Sequence, residues 1–249
     1  METKTFNFIF VKYLRNFVYP GIQEELNHTE EIQKDLLRYL ISTTKNTVFG
    51  KIHKFGTYTD HVYTNFISQV PVVNYDQYKE WIERAKQESD IIRPGKITRF
   101  SASAGTTSRK KHIPITDESL ESINKAGLDT FATYATKYPE TQAFGAYCRP
   151  LGGTIQEQLE DESIIGDVSA LMILERSRML QKKYKYPLEV FLEPNRYIKR
   201  DLFLQKLRPQ EHTMMLGVTS RINEMLQYME KKTPKKFSLF IKNLKLIVW

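Results

Sequence analysis

A run of hydroxyl side chains followed by cations, within residues 101–111, has the residue types and spacing best suited to chemistry. Its small and hydroxyl-bearing members are Ser101, Ser103, Gly105, Thr106, Thr107 and Ser108, and the cations are Arg109, Lys110 and Lys111. A glycine lets the backbone approach an anion closely, while hydroxyls and a following lysine supply hydrogen-bond donors and positive charge. The pattern favours a loop that binds the phosphates of a nucleoside triphosphate. A polar hairpin turn is the alternative that these residues leave open.

Other catalytic motifs do not occur in the sequence. Gly-x-x-x-x-Gly-Lys-Ser/Thr, Gly-x-Gly-x-x-Gly and Gly-x-Ser-x-Gly are all absent. Ser108 and Lys111 have the Ser-x-x-Lys spacing, but the partner motifs of penicillin-binding enzymes do not follow. The five histidines lack metal-ligand spacing. We therefore predict neither a catalytic side chain nor a protein metal site from these residues.

The composition is that of an ordinary globular protein, with 249 residues, 41% hydrophobic and 27% charged. Lys and Arg number 37 against 29 Asp and Glu, which gives a net charge of +8. Such an excess occurs in proteins that bind nucleic acid or anionic membranes. Because the charge is scattered along the chain, we favour a basic solvated surface, such as one around an anionic substrate, and do not expect a nucleic-acid partner.

The single cysteine, Cys148, cannot form an intramolecular disulfide, which fits a reducing compartment. Its apolar neighbours predict a buried strand thiol rather than a nucleophile. No stretch approaches the roughly 20 apolar residues that a membrane helix needs, and no signal peptide is recognisable. We expect a cytoplasmic protein without a membrane partner.

Helix and strand signals alternate along the chain. Helices are predicted over residues 6–19, where Pro20 and Gly21 end the first one, and over residues 195–207. Further helices are predicted to start after caps at Thr29, Asn74 and Thr116, at Gly166, and after a cap at Thr219 or Ser220. Strands are predicted over residues 95–100, 142–148, 188–192, 213–218 and 244–249. This alternation predicts an α/β fold with a mainly parallel central sheet and flanking helices.

Several stretches match one family in order. The run Ser103-Ala-Gly-Thr-Thr-Ser-Arg-Lys-Lys111 is similar to the Ser/Thr-Ser-Gly-Thr-Thr-Gly-x-Pro-Lys loop of adenylate-forming enzymes, and Lys111-His-Ile-Pro continues it. The other matches are Thr47-Val-Phe-Gly50 through Phe55, Val70-Pro-Val with Tyr75-Asp-x-Tyr78, Gly166-Asp-Val-Ser-Ala170, Leu216-Gly-Val-Thr-Ser220 and Asn243-Leu-Lys-Leu-Ile-Val-Trp249. Together they resemble the auxin-responsive-promoter (Gretchen Hagen) family of acyl acid–amido synthetases, over nearly the whole chain.

The loop departs from the family pattern at three positions. Ala104 stands where the family usually has Ser, Ser108 where adenylating loops often have Gly, and Lys110 where many have Pro. Phosphate contacts made by the backbone survive these changes, but one hydroxyl is lost.

The resemblance also implies an incomplete domain. Residues 1–249 correspond to the N-terminal part of the family's large adenylate-forming domain. The adenine-binding motif, the ribose-binding Asp and the C-terminal lid domain would lie beyond Trp249. The sequence stops inside an apolar strand, which would leave an open sheet edge. We therefore expect a truncated, inactive fragment, and a separate chain that carries the missing half is a candidate partner.

The activity implied by the resemblance is a two-step, ATP-dependent ligation. A carboxylic acid is adenylated with release of pyrophosphate, and an amine such as an amino acid then displaces AMP to form an amide. The implied nucleotide-binding residues are Ser103, Gly105, Thr106, Thr107, Ser108 and Lys111, with Mg²⁺ bridging the phosphates. The implied substrate-binding residues are Asp167, Ser169, Gly217, Val218 and Thr219. A basic nucleic-acid or anion-binding module without catalysis, and a remnant with no activity, are the two alternatives.

Overall fold

The structure is a computed structural model that describes residues 3–102, 111–174, 190 and 193–249. It divides into two compact units. The first comprises Met1–Pro20, Leu120–Glu157 and Gly166–Trp249, and the second comprises Gly21–Ser119 and Gln158–Ile165.

The N-terminal helix is longer than the sequence predicts. Helix α1 (Thr3–Tyr13) leads through a π-helical turn (Leu14–Val18) into α2 (Tyr19–Asn27), so the predicted stop at Pro20 is wrong. The π turn closes when the Tyr19 N–H donates to the Leu14 carbonyl. Pro20 then falls in the first turn of α2, where a missing N–H costs little.

The second unit continues with α3 (Thr29–Thr44), α4 (Val48–Ile52), a 3-10 turn (Phe55–Thr57), α5 (Val62–Gln69) and α6 (Tyr75–Gln87). Helix α6 starts as predicted, because Asn74 and Gln77 form a reciprocal capping box. Thr29 does not cap α3. Its hydroxyl donates instead to the carbonyls of Glu25 and Leu26, at 3.1 and 3.0 Å, and so satisfies the end of α2.

Two sheets are present among the described residues. Their strands are β1 (Arg99–Ala102), β2 (His112–Pro114), β3 (Tyr147–Leu151), β4 (Ile155–Gln158), β5 (Ile164–Gly166), β6 (His212–Gly217) and β7 (Leu246–Val248). One sheet has the order β2-β1-β5-β4, with β1 and β2 antiparallel. The other has the order β3-β6-β7 and is parallel throughout. The predicted α/β class with a parallel sheet is confirmed.

The first unit builds its core around the parallel sheet. Besides α1, its helices are α7 (Asp117–Lys137, which begins at the end of the second unit), α8 (Val168–Leu174), α9 (Arg196–Lys206), α10 (Thr219–Lys232) and α11 (Pro234–Asn243). Phe203, Met215, Met229 and Phe240 form the centre of its main apolar cluster, each with at most 2% of its surface exposed. Helices α9, α10 and α11 therefore cover β6 by burying apolar side chains against it.

Some predicted boundaries in this unit differ from the structure. Neither Thr219 nor Ser220 caps α10; Val218 occupies the cap position, without a side-chain hydrogen bond. The predicted strand at 188–192 lies outside the described residues, apart from Val190. Helix α11 has no counterpart in the predictions.

The second unit has its own core, in which α6 packs against β1. Ile82, Ile91, Ile97, Phe100 and Ile165 are each at most 3% exposed. Phe100 is fully buried, so the strand that leads into the hydroxyl-rich run is anchored by its aromatic ring.

Candidate functional site

The hydroxyl-rich run connects two neighbouring strands. Ala102 at the end of β1 pairs with His112 at the start of β2 in antiparallel register. Ser103, Gly105, Thr106, Thr107 and Ser108 lie outside the described residues, so their predicted contacts with a nucleotide stay predictions. What the structure shows is the base of the loop, whose two ends meet at one edge of the sheet.

Lys111, the last cation of the run, is exposed at this base. Its Nζ lies 5.3 Å from the centre of the Tyr75 ring. Within the part of the chain that the structure describes, Lys111 has no carboxylate partner. Its positive charge is therefore available to an anionic ligand.

Helix α6 fixes the backbone next to Lys111. The Tyr75 hydroxyl accepts a hydrogen bond from the His112 N–H at 2.7 Å and donates to the His112 carbonyl at 3.3 Å. Lys86 Nζ lies 2.7 Å from His112 Nδ1 and 2.9 Å from both carboxylate oxygens of Glu83. A lysine ammonium can only donate, so Nδ1 of His112 accepts and the ring proton lies on Nε2. Tyr75 and Lys86 thus hold the strand end that presents Lys111.

In the first unit, Asp167 and Ser169 bind the turn that follows β3. Ser169 Oγ accepts the Gly153 N–H at 2.8 Å, and Asp167 Oδ2 accepts the Thr154 N–H at 3.0 Å. The Asp167 N–H donates back to the Thr154 carbonyl at 3.0 Å, and the Gln156 amide donates to Asp167 Oδ1 at 3.3 Å. Two predicted substrate-binding residues therefore lie directly against the segment that joins β3 to β4.

Gly217 reaches the same turn through the parallel sheet, where it pairs with Leu151. A Cβ atom at Gly217 would lie 2.9 Å from the Leu151 Cβ and 3.0 Å from its carbonyl oxygen, so a larger side chain would separate the two strands. Val218 and Thr219 follow at the start of α10 and are exposed. The structure therefore brings Asp167, Ser169 and Gly217 together around one turn, with Val218 and Thr219 next in the chain.

The sequence analysis missed two cations that also bind this turn. Lys199 Nζ, on α9, donates to the carbonyls of Gly152 and Gly153 at 3.3 and 3.0 Å, and Arg221 Nη1 donates to the Gly152 carbonyl at 3.3 Å. Burial, with Arg221 adding to it, lowers the pKa of Lys199 from 10.5 to about 8, although Asp167 and Glu193 oppose the change. No local motif marks either residue, since both act from helices distant in sequence from the turn.

The described residues offer neither a cluster of metal ligands nor a helix suited to a membrane. They contain no group of three or more His, Cys, Asp or Glu side chains that could hold a metal ion. None of the helices in the described parts of the chain has the length and apolar character required to cross a bilayer.

The parallel sheet, the antiparallel strand pair and the helices around them define the chain as an α/β protein. Residues 19–239 match the sequence profile of the GH3 family N-terminal domain. The chain therefore belongs to the GH3 family, as its ordered motifs predicted.

Individual relatives agree with this assignment. The chain is 33% identical over 103 residues to the indole-3-acetic acid-amido synthetase GH3.17 of Arabidopsis thaliana, an alignment that covers 40% of this chain and 17% of that protein. The solved GH3.15 acyl acid amido synthetase shares the fold, with a TM-score of 0.66 and 17% identity, over 92% of this chain and 39% of that one. The structure of AtGH3.15 acyl acid amido synthetase in complex with 2,4-DB gives the same TM-score and identity, over 84% of this chain and 37% of that one. The chain thus spans about two fifths of these solved structures.

Proposed function

We propose that this chain is the nucleotide-binding N-terminal part of an ATP-dependent acyl acid–amido synthetase. In the proposed reaction, a carboxylate oxygen attacks the α-phosphorus of ATP and pyrophosphate leaves. The amine nitrogen of the second substrate, such as an amino acid, then attacks the acyl carbon and displaces AMP, with loss of a proton. The observation that carries the proposal is the position of Lys111, exposed and without a carboxylate partner among the described residues, at the end of a hydroxyl-rich run in a GH3 chain.

Lys111 would bind the phosphates of ATP and offset negative charge as pyrophosphate leaves. Such a role needs a side chain whose direction is fixed before the ligand arrives, because preorganised charge is more effective than mobile charge. The two hydrogen bonds between Tyr75 and His112 support this role, since they fix the residue adjacent to Lys111. The hydroxyls of Ser103, Thr106, Thr107 and Ser108, with the backbone of Gly105, would complete the phosphate contacts.

Mg²⁺ would accompany ATP and reduce the charge of its phosphates. The exposed ammonium of Lys111 fits a polyphosphate anion, whereas the described residues contain no group of three or more His, Cys, Asp or Glu side chains that could hold a metal ion. We therefore propose phosphate binding for this chain and name no ligand for Mg²⁺ among the described residues.

The turn at Gly152 and Gly153 is proposed to line the site for the organic substrates. Asp167, Ser169, Gly217, Val218 and Thr219 would serve there, with Lys199 and Arg221 supporting the turn. The bonds that Asp167 and Ser169 make to backbone N–H groups favour an indirect role, in which they fix the turn against which a substrate binds.

Equilibrium dialysis of labelled ATP against the purified chain, with Mg²⁺ present, tests the proposal. Binding is the appropriate readout because the chain spans about two fifths of the related solved structures. Lys111→Ala should weaken ATP binding roughly tenfold or more, because a charge-assisted contact to phosphate is lost. Lys51→Ala is the matched control, since Lys51 is also an exposed lysine of the second unit, and it should leave the affinity unchanged.

Equal ATP affinity of the wild-type and Lys111→Ala proteins would refute the proposal. Absence of ATP binding, combined with steeply salt-dependent binding to unrelated oligonucleotides, would favour the basic nucleic-acid module instead. Tyr75→Phe keeps the ring beside Lys111 but removes both hydrogen bonds to His112. It should weaken ATP binding less than Lys111→Ala does.

A further inference from the structure

A groove of about 620 Å³ runs along the N-terminal helix of the first unit. On one side it is lined by Lys4, Asn7, Phe8, Val11, Lys12 and Arg15, and on the other by residues 139–142. None of these residues belongs to the predicted nucleotide or substrate sites. The volume lies in the range of small-molecule sites, which is about 300–1,000 Å³.

The two sides of the groove are fixed to each other by Asn7. Its side chain is only 3% exposed. Its Nδ2 donates to the Thr141 carbonyl at 2.8 Å, and its Oδ1 accepts the Phe144 N–H at 3.1 Å. Phe10 adds an edge-to-face contact with Phe144, with ring centres 5.3 Å apart. A buried amide that satisfies two backbone groups makes the groove preformed rather than dependent on a ligand.

The groove carries an excess of positive charge. The groove is lined by three cations, Lys4, Lys12 and Arg15, and by one acid, Glu140. In the described parts of the chain, no carboxylate forms an ion pair with any of the three cations. Residues 3–18 contain no Asp or Glu at all. Like charges placed along one helix face repel each other, so an anion in the groove would relieve an unfavourable interaction.

The groove also offers apolar surface between the cations. Phe8 is 60% exposed, and Lys12 Nζ lies 4.4 Å from the centre of its ring. Val11 is buried beneath them. We propose that this groove binds a small organic anion with an apolar body, such as a medium-chain carboxylate. Lys12 and Arg15 pair with its carboxylate, while Phe8 contacts its hydrocarbon part.

Calorimetric titration of the full chain with sodium octanoate tests this site. The double substitution Lys12→Gln with Arg15→Gln should weaken binding about fivefold or more, because two exposed ion pairs are lost. Lys231→Gln with Lys232→Gln removes the same charge from the exposed end of α10 and should change the affinity less than twofold. Phe8→Ala keeps every charge and should also weaken binding, which keeps the test valid if the double variant unfolds.

Comparison ligands separate the two parts of the proposal. If inorganic phosphate bound as tightly as octanoate, charge alone would suffice for binding, and the proposal would be overturned. If 1-octanol bound as tightly, apolar contact alone would suffice, with the same consequence. Equal weakening by the α10 control would overturn it as well. Binding to vesicles of phosphatidylcholine and phosphatidylserine in a 7:3 ratio (roughly 30% anionic lipid), without binding to octanoate, would assign the helix to a membrane surface instead. The proposed ligase also binds a carboxylic acid, so the variants at Phe8, Lys12 and Arg15 distinguish the two proposals: loss of octanoate binding in them assigns the ligand to the groove, whereas unchanged binding assigns it elsewhere and leaves the ligase proposal untouched.

Discussion

Replacing Gly153 by alanine tests the turn that collects the predicted substrate residues. A Cβ atom built on Gly153 would lie 1.6 Å from Asp167 Oδ2 and 2.1 Å from both Cβ and Cγ of Asp167. Rotation of the carboxylate alone cannot remove this overlap, because Cβ of Asp167 is fixed to the backbone. The turn or the start of α8 must therefore move.

The expected cost has two parts. Displacing Asp167 breaks its charge-assisted bond to the Thr154 N–H, worth about 1.5–3 kcal/mol. Forcing an extra methyl group into a packed turn costs about 1–3 kcal/mol more. We expect a loss of about 2.5–6 kcal/mol in the free energy of unfolding, which corresponds to a melting temperature lower by roughly 5–25 °C for a protein of this size.

Urea denaturation followed by circular dichroism measures the change. Gly127→Ala is a matched control, because no atom lies within 4 Å of the added Cβ. Gly127 is exposed in the interior of α7, so alanine there should stabilise the protein by up to about 1 kcal/mol. A destabilisation below about 1 kcal/mol for Gly153→Ala would show that the turn is not held as the hydrogen bonds indicate.

Two further substitutions probe the first unit. The pKa of Lys199 is about 8 in the folded protein and 10.5 ordinarily, so the unfolded chain binds more protons between these values and stability should rise with pH across that window. The expected rise in the free energy of unfolding is about 1–2 kcal/mol, after allowance for solvent screening of a half-buried group. Lys199→Met should remove this rise, which denaturation at pH 7.5 and at pH 10 measures. Asn7→Ala should cost about 2–4 kcal/mol, because it removes two buried hydrogen bonds, and hydrogen exchange should increase at the Phe144 amide; unchanged exchange would contradict the Asn7 contact.

Much of the fold was predictable because local signals agreed with it. The caps at Asn74 and Thr116 start helices where expected, and the apolar run ending at Gly217 forms β6. The prediction failed at Pro20, where a local change in backbone hydrogen bonding that the sequence does not mark outweighs the Pro-Gly signal. Pro20 does not stop its helix, because the π turn before it shifts the hydrogen-bond pattern.

The candidate site was predictable only in part, for a similar reason. Asp167 and Ser169 belong to a short motif and could be singled out by resemblance. Lys199 and Arg221 could not be singled out in this way, because what they share is a hydrogen bond to the Gly152 carbonyl. Neither helix pattern indicates that contact. Only the three-dimensional arrangement of α9 and α10 on the sheet brings both cations to the turn.

The hydrogen bonds that these side chains make restrict the conformations open to the turn. Asp167 and Ser169 accept N–H groups from Thr154 and Gly153, while Lys199 and Arg221 donate to the carbonyls of Gly152 and Gly153. Donors and acceptors from three helices thus bind a single turn. A turn bound on so many sides changes shape only at high cost, because each broken contact leaves a partly buried polar group without its partner. Such rigidity suits a surface against which a substrate is positioned, and under the proposed function the residues around the turn would contribute to binding without touching the substrate.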